Sequence, residues 1–211
     1  MKIVKLTKEN EMEVVAEAIE ILKRGSAIVY PTDTCYGLGV NALDASAIKR
    51  IFKIKQRPSS KPVPLAIKNV IWAKELAYID SKQEKILNAI WPGQVTVVLN
   101  KKSIIPDIAT ANQKTVGLRV PDHKFTDLLL AKFGYPITST SANISGEEAT
   151  YNIQKIVEAF NGKIYKPELV IDVGDLKEMP PSTVLDLTSD KPKILRVGPT
   201  KPNQLLKLLA Q

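Results

Sequence analysis

Hydroxyls, amides and strong cations gather at three places in the chain, with almost nothing beside them that titrates near neutrality. Thr32, Asp33, Thr34 and Tyr36 follow a β-prone run at residues 27–30. Ser139, Thr140, Ser141, Asn143 and Ser145 sit in and just after a second such run at 137–141, and Lys55, Arg57 and Lys61 lie between the two. Ligand groups of open α/β sheets usually stand where strands end. Hydroxyls and amides joined to cations suit the holding of anions and small polar molecules; they do not suit acid–base catalysis. Either cluster by itself reads as readily as a set of turn formers that bond their own backbone.

Other routes to chemistry are narrow. The lone His123 follows Pro121-Asp122 at an expected helix start, has no evident partner and is given no role. Nothing in the sequence lowers the pKa of Cys35, so it is expected as a small buried thiol. One Cys and one His supply neither an internal disulfide nor the ligands of a zinc site, and a reducing, cytoplasmic setting follows as the expectation. No G-x-x-x-x-G-K-[ST] string occurs, and Gly37-Leu38-Gly39 lacks the third glycine of a dinucleotide fingerprint. Asn143-Ile144-Ser145 is a glycosylation sequon only if the chain is secreted.

The chain has 211 residues, with 30 Lys+Arg against 22 Asp+Glu and a net charge of +8. Lys49, Arg50, Lys53, Lys55, Arg57, Lys61, Lys68 and Lys74 fall in one stretch without an acid, and these eight equal the whole excess. They read either as a solvated helix face or as a field that draws phosphate, from a nucleotide or from nucleic acid.

These groups need a scaffold, and 44% hydrophobic and 25% charged residues describe an ordinary globular one. Asn10 and Glu13 read as a capping box ahead of the stripe Val14, Val15, Ala18, Ile21 and Leu22, with Gly25 as the stop. Asp44 caps a second helix that must end near Arg57 because Pro58 follows. Ser81 and Glu84 read as a second box, for a helix stopped by Pro92-Gly93. Strands are expected at 27–30, 95–99, 115–120, 137–141, 169–173, 182–187 and 193–197, a Gly-opened loop at 37–39, and helices near 125–132, 153–160 and 203–209. With no repeat or long linker, residues 1–211 read as one α/β domain, a twisted mixed sheet flanked by helices, with an open basic cleft. The first seven residues lack the pattern of a signal peptide, and Pro31, Asp33 and Pro92 interrupt the best apolar stretches, so no membrane contact is expected.

Seven motifs then fall in order: Pro31-Thr32-Asp33-Thr34-Cys35-Tyr36-Gly37-Leu38-Gly39, Lys55-x-Arg57-Pro58-x-x-Lys61-Pro62, Trp91-Pro92-Gly93-x-x-Thr96, Arg119-x-Pro121, Ser139-Thr140-Ser141-Ala142-Asn143-x-Ser145-Gly146, Ser182-Thr183-Val184-x-Asp186 and Arg196-x-Gly198. In this order they resemble the YrdC/TsaC family of threonylcarbamoyl-AMP synthases, from about Gly25 to Gly198. The chain looks like the short form, without the extra C-terminal domain of longer members. The resemblance implies a YrdC-like fold and a reaction of L-threonine, bicarbonate and ATP that gives threonylcarbamoyl-AMP and diphosphate. Its product serves the threonylcarbamoyl modification of adenosine in tRNA, through a downstream threonylcarbamoyl transferase complex.

The nucleophile in that reaction is the substrate's own carbamate, so the protein supplies alignment and charge stabilisation. The resemblance implies a catalytic tetrad of Lys55, Arg57, Ser141 and Asn143. It implies nucleotide contacts from Arg57, Lys61, Thr115, Ser141 and Arg196, and threonine contacts from Thr34, Arg119, Ser139 and Ser182. Mg2+ is expected with ATP, held through phosphates and water. Two segments depart from the family. Many members read Asn-Pro-Leu-Ile-Val-His after the Arg-Pro, where this chain has Lys61-Pro62-Val63-Pro64-Leu65-Ala66. After Ser145-Gly146 it has Glu147-Glu148-Ala149-Thr150 where many members are Ser/Thr-rich, and only Thr150 could substitute. Two alternatives stay open: a non-catalytic module for double-stranded RNA or tRNA, and a paralogue with another carbamoyl or nucleotide substrate.

Overall fold

Among the described residues the amphipathic stripes become helices, and the way a helix ends decides which side chains reach the site. In the computed structural model, which describes residues 1–203 and 205, α1 (Glu11–Lys23) buries Val14, Val15, Ala18, Ile21 and Leu22. Asn10 stands at its N-cap, but its side chain does not cap the helix. Its Oδ1 accepts from the Thr7 amide at 2.8 Å and its Nδ2 donates to the Lys5 carbonyl at 2.9 Å, tying the helix entry to β1 (Lys2–Lys5).

Asp44 caps α2 (Ala45–Lys55) as expected, accepting from the amides of Ser46 and Ala47. The helix stops because Gln56 turns left-handed at φ 50, and the Arg57 amide closes back on the Phe52 carbonyl at 2.9 Å. Lys55 is thus the last helical residue, and Arg57 lies one turn-residue beyond. In α4 (Ser81–Ile90) the capping box sits one position earlier than expected, formed by Asp80 and Gln83, while Glu84 is drawn to Lys74 at 2.6 Å.

The strands divide between two mixed sheets. One holds β2 (Ile28–Tyr30), β3 (Gly37–Gly39), β8 (Thr140–Ser141) and β9 (Leu169–Asp172), in the order β1-β9-β2-β3-β8. The other holds β4 (Leu65–Ala66), β5 (Val95–Asn100), β6 (Thr115–Arg119), β7 (Ile137–Thr138), β10 (Thr183–Asp186) and β11 (Lys193–Arg196), in the order β11-β10-β5-β6-β4-β7. The run expected as one strand over 137–141 breaks at Ser139. Its first half pairs with β4 and its second with β3, so the chain passes from one sheet to the other at that residue. The Ser139 amide is held there by the Pro64 carbonyl at 2.7 Å.

The segment 37–39, expected as a loop, is a strand. A Cβ at Gly37 would meet the Tyr30 ring at 2.7 Å and one at Gly39 would meet it at 2.8 Å. The glycines make room for a fully buried aromatic ring, so their purpose here is packing.

One apolar core lies among α2, α4, α6 (Ile153–Phe160) and both sheets; a second joins α1 to α5 (Lys124–Phe133), β2 and β9. The short β1, β4 and α3 (Val70–Leu76) complete the frame without having been legible as elements. The helix expected over 203–209 falls almost wholly outside the described residues. No helix among them is long and apolar enough to cross a membrane.

Candidate active site

The seam between the sheets opens into a two-part cleft. An inner chamber of about 190 Å³ is lined by Thr32, Thr34, Cys35, Gly37, Arg57, Pro64, Arg119, Ser139, Thr140, Ser141, Pro181, Ser182 and Arg196. An outer cavity of about 470 Å³ shares Arg57, Pro64 and Arg196 with it and adds Pro62, Thr96, Val98, Gln113, Thr115, Val184, Asp186, Thr188 and Leu195 among its walls. Thr32 and Thr34 of the cluster after β2 and Ser139, Thr140 and Ser141 of the cluster at β8 therefore face the same space, whereas Asp33, Tyr36, Asn143 and Ser145 do not line it, and Arg57 borders both parts of the cleft.

Each cation is fixed by oxygens that fold around it. Arg119 is almost fully buried, and its Nε donates to the Gly93 carbonyl at 3.0 Å, its Nη1 to Thr34 Oγ1 at 2.8 Å and its Nη2 to Asp33 Oδ1 at 2.6 Å. Asp33 Oδ2 is buried without a partner, so this carboxylate is committed to Arg119. Arg196 bonds the Ser182 carbonyl through Nε at 3.0 Å and through Nη2 at 2.8 Å, while Ser182 Oγ and Thr96 Oγ1 share a hydrogen bond of 2.8 Å. Arg57 is half-buried, with Nε on the Lys61 carbonyl at 3.2 Å and Nη2 on the Pro62 carbonyl at 2.9 Å.

Lys55 is brought to the site in a different way. Its stem is buried and its ammonium donates to the carbonyls of Ser141, at 2.5 Å, and Asn143, at 2.8 Å, and to Asn143 Oδ1 at 3.0 Å. Asn143 is buried too, accepting from Ser141 Oγ at 2.6 Å and donating to the Glu147 carbonyl at 2.6 Å. Neither lines the cleft; both hold the loop that carries Ser141. Burial, reinforced by the neighbouring Arg57 charge, pulls the Lys55 amine down to about 7.

Thr34, Arg119, Ser139, Ser141, Ser182, Arg57 and Arg196 line the inner chamber, and Thr115 lines the outer cavity. Lys61 is exposed and meets the site only through its backbone carbonyl, and Thr150 lines neither part of the cleft. Ala66, at the position where the family resemblance leads one to expect His, is fully buried in β4 beside Arg119 in register.

Cys35 differs from expectation in position: it borders the inner chamber. Burial pushes its thiol up against the opposing pull of Arg119, which keeps it protonated near neutrality. His123 caps no helix with its side chain, and burial lowers its pKa away from the cleft. Asp33, Thr96 and Asp186 stand in the sequence motifs without a role, and Gln113 has no sequence signal at all.

Three of the eight cations in the basic run pair with acids outside it, Arg50 with Glu168, Lys68 with Asp127 and Lys74 with Glu84, and of the eight only Arg57 lines the cleft.

Gly198 sets how closely β11 approaches Ser182. A Cβ there would lie 2.2 Å from the Pro181 carbonyl oxygen and 2.5 Å from the Thr183 amide nitrogen, all backbone. Gly198→Ala is expected to lower stability by about 3 kcal/mol and to separate Arg196 from Ser182. Thermal unfolding checks it, and an unchanged Tm would contradict it.

Comparison with known proteins gives the family and the fold. The Sua5/YciO/YrdC family model, described as telomere recombination, matches residues 20–198. The chain belongs to the Sua5/YciO/YrdC family. A threonylcarbamoyl-AMP synthase of Pyrococcus abyssi is 36% identical over 195 residues, covering 92% of this chain and 56% of the relative. The crystal structure of P. abyssi Sua5 complexed with L-threonine superposes with a TM-score of 0.90 at 34% identity, over 98% of this chain and 60% of that one. The E. coli YciO structure superposes with a TM-score of 0.85 at 27% identity, covering 97% of this chain and 98% of YciO. The chain thus spans a little over half the length of the P. abyssi members and nearly all of YciO.

Proposed function

We propose that this member of the family is an L-threonylcarbamoyladenylate synthase, joining L-threonine, bicarbonate and ATP into threonylcarbamoyl-AMP with release of diphosphate. One observation carries the reading. Arg57, Arg119 and Arg196 and the hydroxyls of Thr34, Ser139, Ser141 and Ser182 converge on a chamber with room for a small amino acid, which opens into a cavity of nucleotide size.

In this reading Arg119 takes the threonine carboxylate, while Thr34, Ser139 and Ser182 read its amine and hydroxyl. The neutral amine adds to CO2 with loss of a proton, or to bicarbonate with loss of water, and the resulting carbamate oxygen attacks the α-phosphorus at the doorway between chamber and cavity as the bond to diphosphate breaks. Arg57 and Arg196 carry the charge that develops as diphosphate leaves, because preorganised donors cost no rearrangement at that moment. Thr115 and Ser141 hold the nucleotide, Lys61 acts through the backbone carbonyl that aims Arg57, and Lys55 and Asn143 act through the loop they fix. Mg2+ would accompany ATP, held through phosphate oxygens and water, and would offset phosphate charge beside Arg57 and Arg196.

In this reading the product feeds a transferase that modifies tRNA adenosine, and the chain works in the cytoplasm. A pure RNA-binding role fits less well, because the acids paired with Arg50, Lys68 and Lys74 reduce the field a phosphate backbone would meet. A second reading, a paralogue that accepts another amino acid or amine, is favoured by buried Ala66 beside Arg119, the position at which the family resemblance leads one to expect His.

Purified protein with ATP, bicarbonate and a panel of amino acids separates these. Diphosphate release that needs both bicarbonate and threonine supports the synthase. Release with a different amino acid supports the paralogue, and retention of tRNA without turnover would overturn both.

A further inference from the structure

The strand β10 lays a ruler along the cleft. Thr183 and Leu185 are buried in the core, which turns Val184 and Asp186 onto the cavity face in line with Ser182. Ser182 borders the inner chamber, and at roughly 3.3 Å per residue Asp186 lies about 13 Å further out. On the neighbouring strands the same direction runs from Thr96 to Val98 and from Arg119 through Gly117 to Thr115. One end of the floor therefore carries guanidinium groups, and the other carries Asp186, Thr188, Gln113 and Thr115.

Asp186 is the single carboxylate among the described residues that line the outer cavity. Its Oδ1 is already engaged, accepting from the Thr188 amide at 2.8 Å and from Thr188 Oγ1 at 2.7 Å. That double contact fixes the plane of the carboxylate, and among the described residues no hydrogen bond is made to Oδ2. Lys193 is its partner in register on β11 but is exposed and forms no ion pair with it. Arg196 is opposite Val184 and is committed to Ser182.

A carboxylate repels phosphate and accepts from neutral O–H and N–H donors. In a cavity whose other end is cationic, it both orients a nucleotide and selects for a donor on the nucleoside half. We propose, building on the synthase reading, that Asp186 is the nucleoside-reading residue of this site. Its free oxygen accepts a hydrogen bond from a neutral donor of the nucleoside, a ribose hydroxyl or the exocyclic amine of the base. Val98, Val184 and Leu195 supply the apolar wall beside it. The same charge turns the triphosphate inward toward Arg57 and Arg196.

The test is equilibrium binding without threonine, by calorimetry, to four probes: ATP, 2′-deoxy-ATP, purine riboside triphosphate, which lacks the amine, and inorganic triphosphate. Asp186→Asn keeps the shape and an oxygen for Thr188; Asp186→Ser is the second variant should the first fold poorly. Loss of one charged acceptor is expected to weaken ATP about ten- to hundredfold, while inorganic triphosphate binds as well as before or better. Wild type should lose a similar factor for whichever analogue lacks the donor, and the variant should be indifferent to that analogue. A loss tracking 2′-deoxy-ATP identifies the ribose as the source, and one tracking purine riboside triphosphate identifies the base.

Equal weakening of ATP and triphosphate, or wild-type ATP affinity in the variant, overturns the inference. Either result can stand beside intact threonine-dependent diphosphate release in wild type, which leaves the synthase reading untouched. Wild type that binds neither ATP nor triphosphate overturns both.

Discussion

Arg57→Ala is expected to lower threonine-dependent diphosphate release by at least about a hundredfold while leaving the Tm nearly unchanged, the size of loss that follows removal of one preorganised donor at a developing charge. The guanidinium has five N–H groups, and two of them are spent on the carbonyls of Lys61 and Pro62. Those two bonds aim the fork; the others remain for a ligand at the doorway shared by chamber and cavity. Stability should suffer little, by less than about 1 kcal/mol, because water at this partly open position can replace the two lost donors.

Arg57→Lys is the sharper variant. It keeps the charge but not the planar fork, and a Lys cannot bond two phosphate oxygens in parallel. Activity well below wild type in both variants, measured with matched unfolding curves, fits a fork that grips phosphate. Full activity in the Lys variant would mean that charge alone matters there, and full activity in the Ala variant would misplace the site.

How much of this could be read beforehand depends on how local the cause was. Helix α2 was legible because its stripe, the Asp44 cap and Pro58 all lie within a few residues, and that put Lys55 and Arg57 at its end. Strands of four to six residues such as β5 and β9 were legible from their apolar runs. The two-residue β4 was not, since it exists only because β6 and β7 flank it. The passage of 137–141 between sheets was hidden for the same reason: nothing in Ile-Thr-Ser-Thr-Ser says that its halves pair with different partners.

Charge stayed ambiguous in the sequence wherever compensation is distant. Glu168 and Asp127 reach Arg50 and Lys68 from far along the chain, and Asp33 reaches Arg119 across 86 positions. The hydroxyl clusters and Arg57 were visible as chemistry. The carbonyls of Gly93, Lys61, Pro62 and Ser182, which aim the guanidinium groups, belong to the backbone and leave no mark in residue types.

Lys55→Met should separate positioning from charge, with activity expected to fall about a hundredfold although the side chain touches no part of the cleft. An ammonium has three donors, and here all three are used, on two carbonyls and one side-chain oxygen of the 141–143 turn. Met retains the buried stem and removes the donors. Three oxygens then lose their partner, at about 1–3 kcal/mol for each that stays dry, but a buried charge also disappears, and the two effects oppose. Net stability should stay within about 2 kcal/mol of wild type, while Ser141 loses its fixed place.

The pH dependence gives the check that simple unfolding would not. With the folded amine at about 7 against an ordinary 10.5, the folded chain binds fewer protons than the unfolded chain in that interval. Wild-type stability should therefore rise with pH across it relative to the Met variant. Activity should move the other way: a neutral amine keeps only two N–H groups, so one oxygen of the turn loses its donor and kcat/KM falls as pH passes 7. Urea unfolding and rate profiles at several pH values between 6 and 10 test both slopes. An alkaline fall in rate that persists unchanged in Lys55→Met would assign the titration to another group and remove Lys55 from the positioning of Ser141.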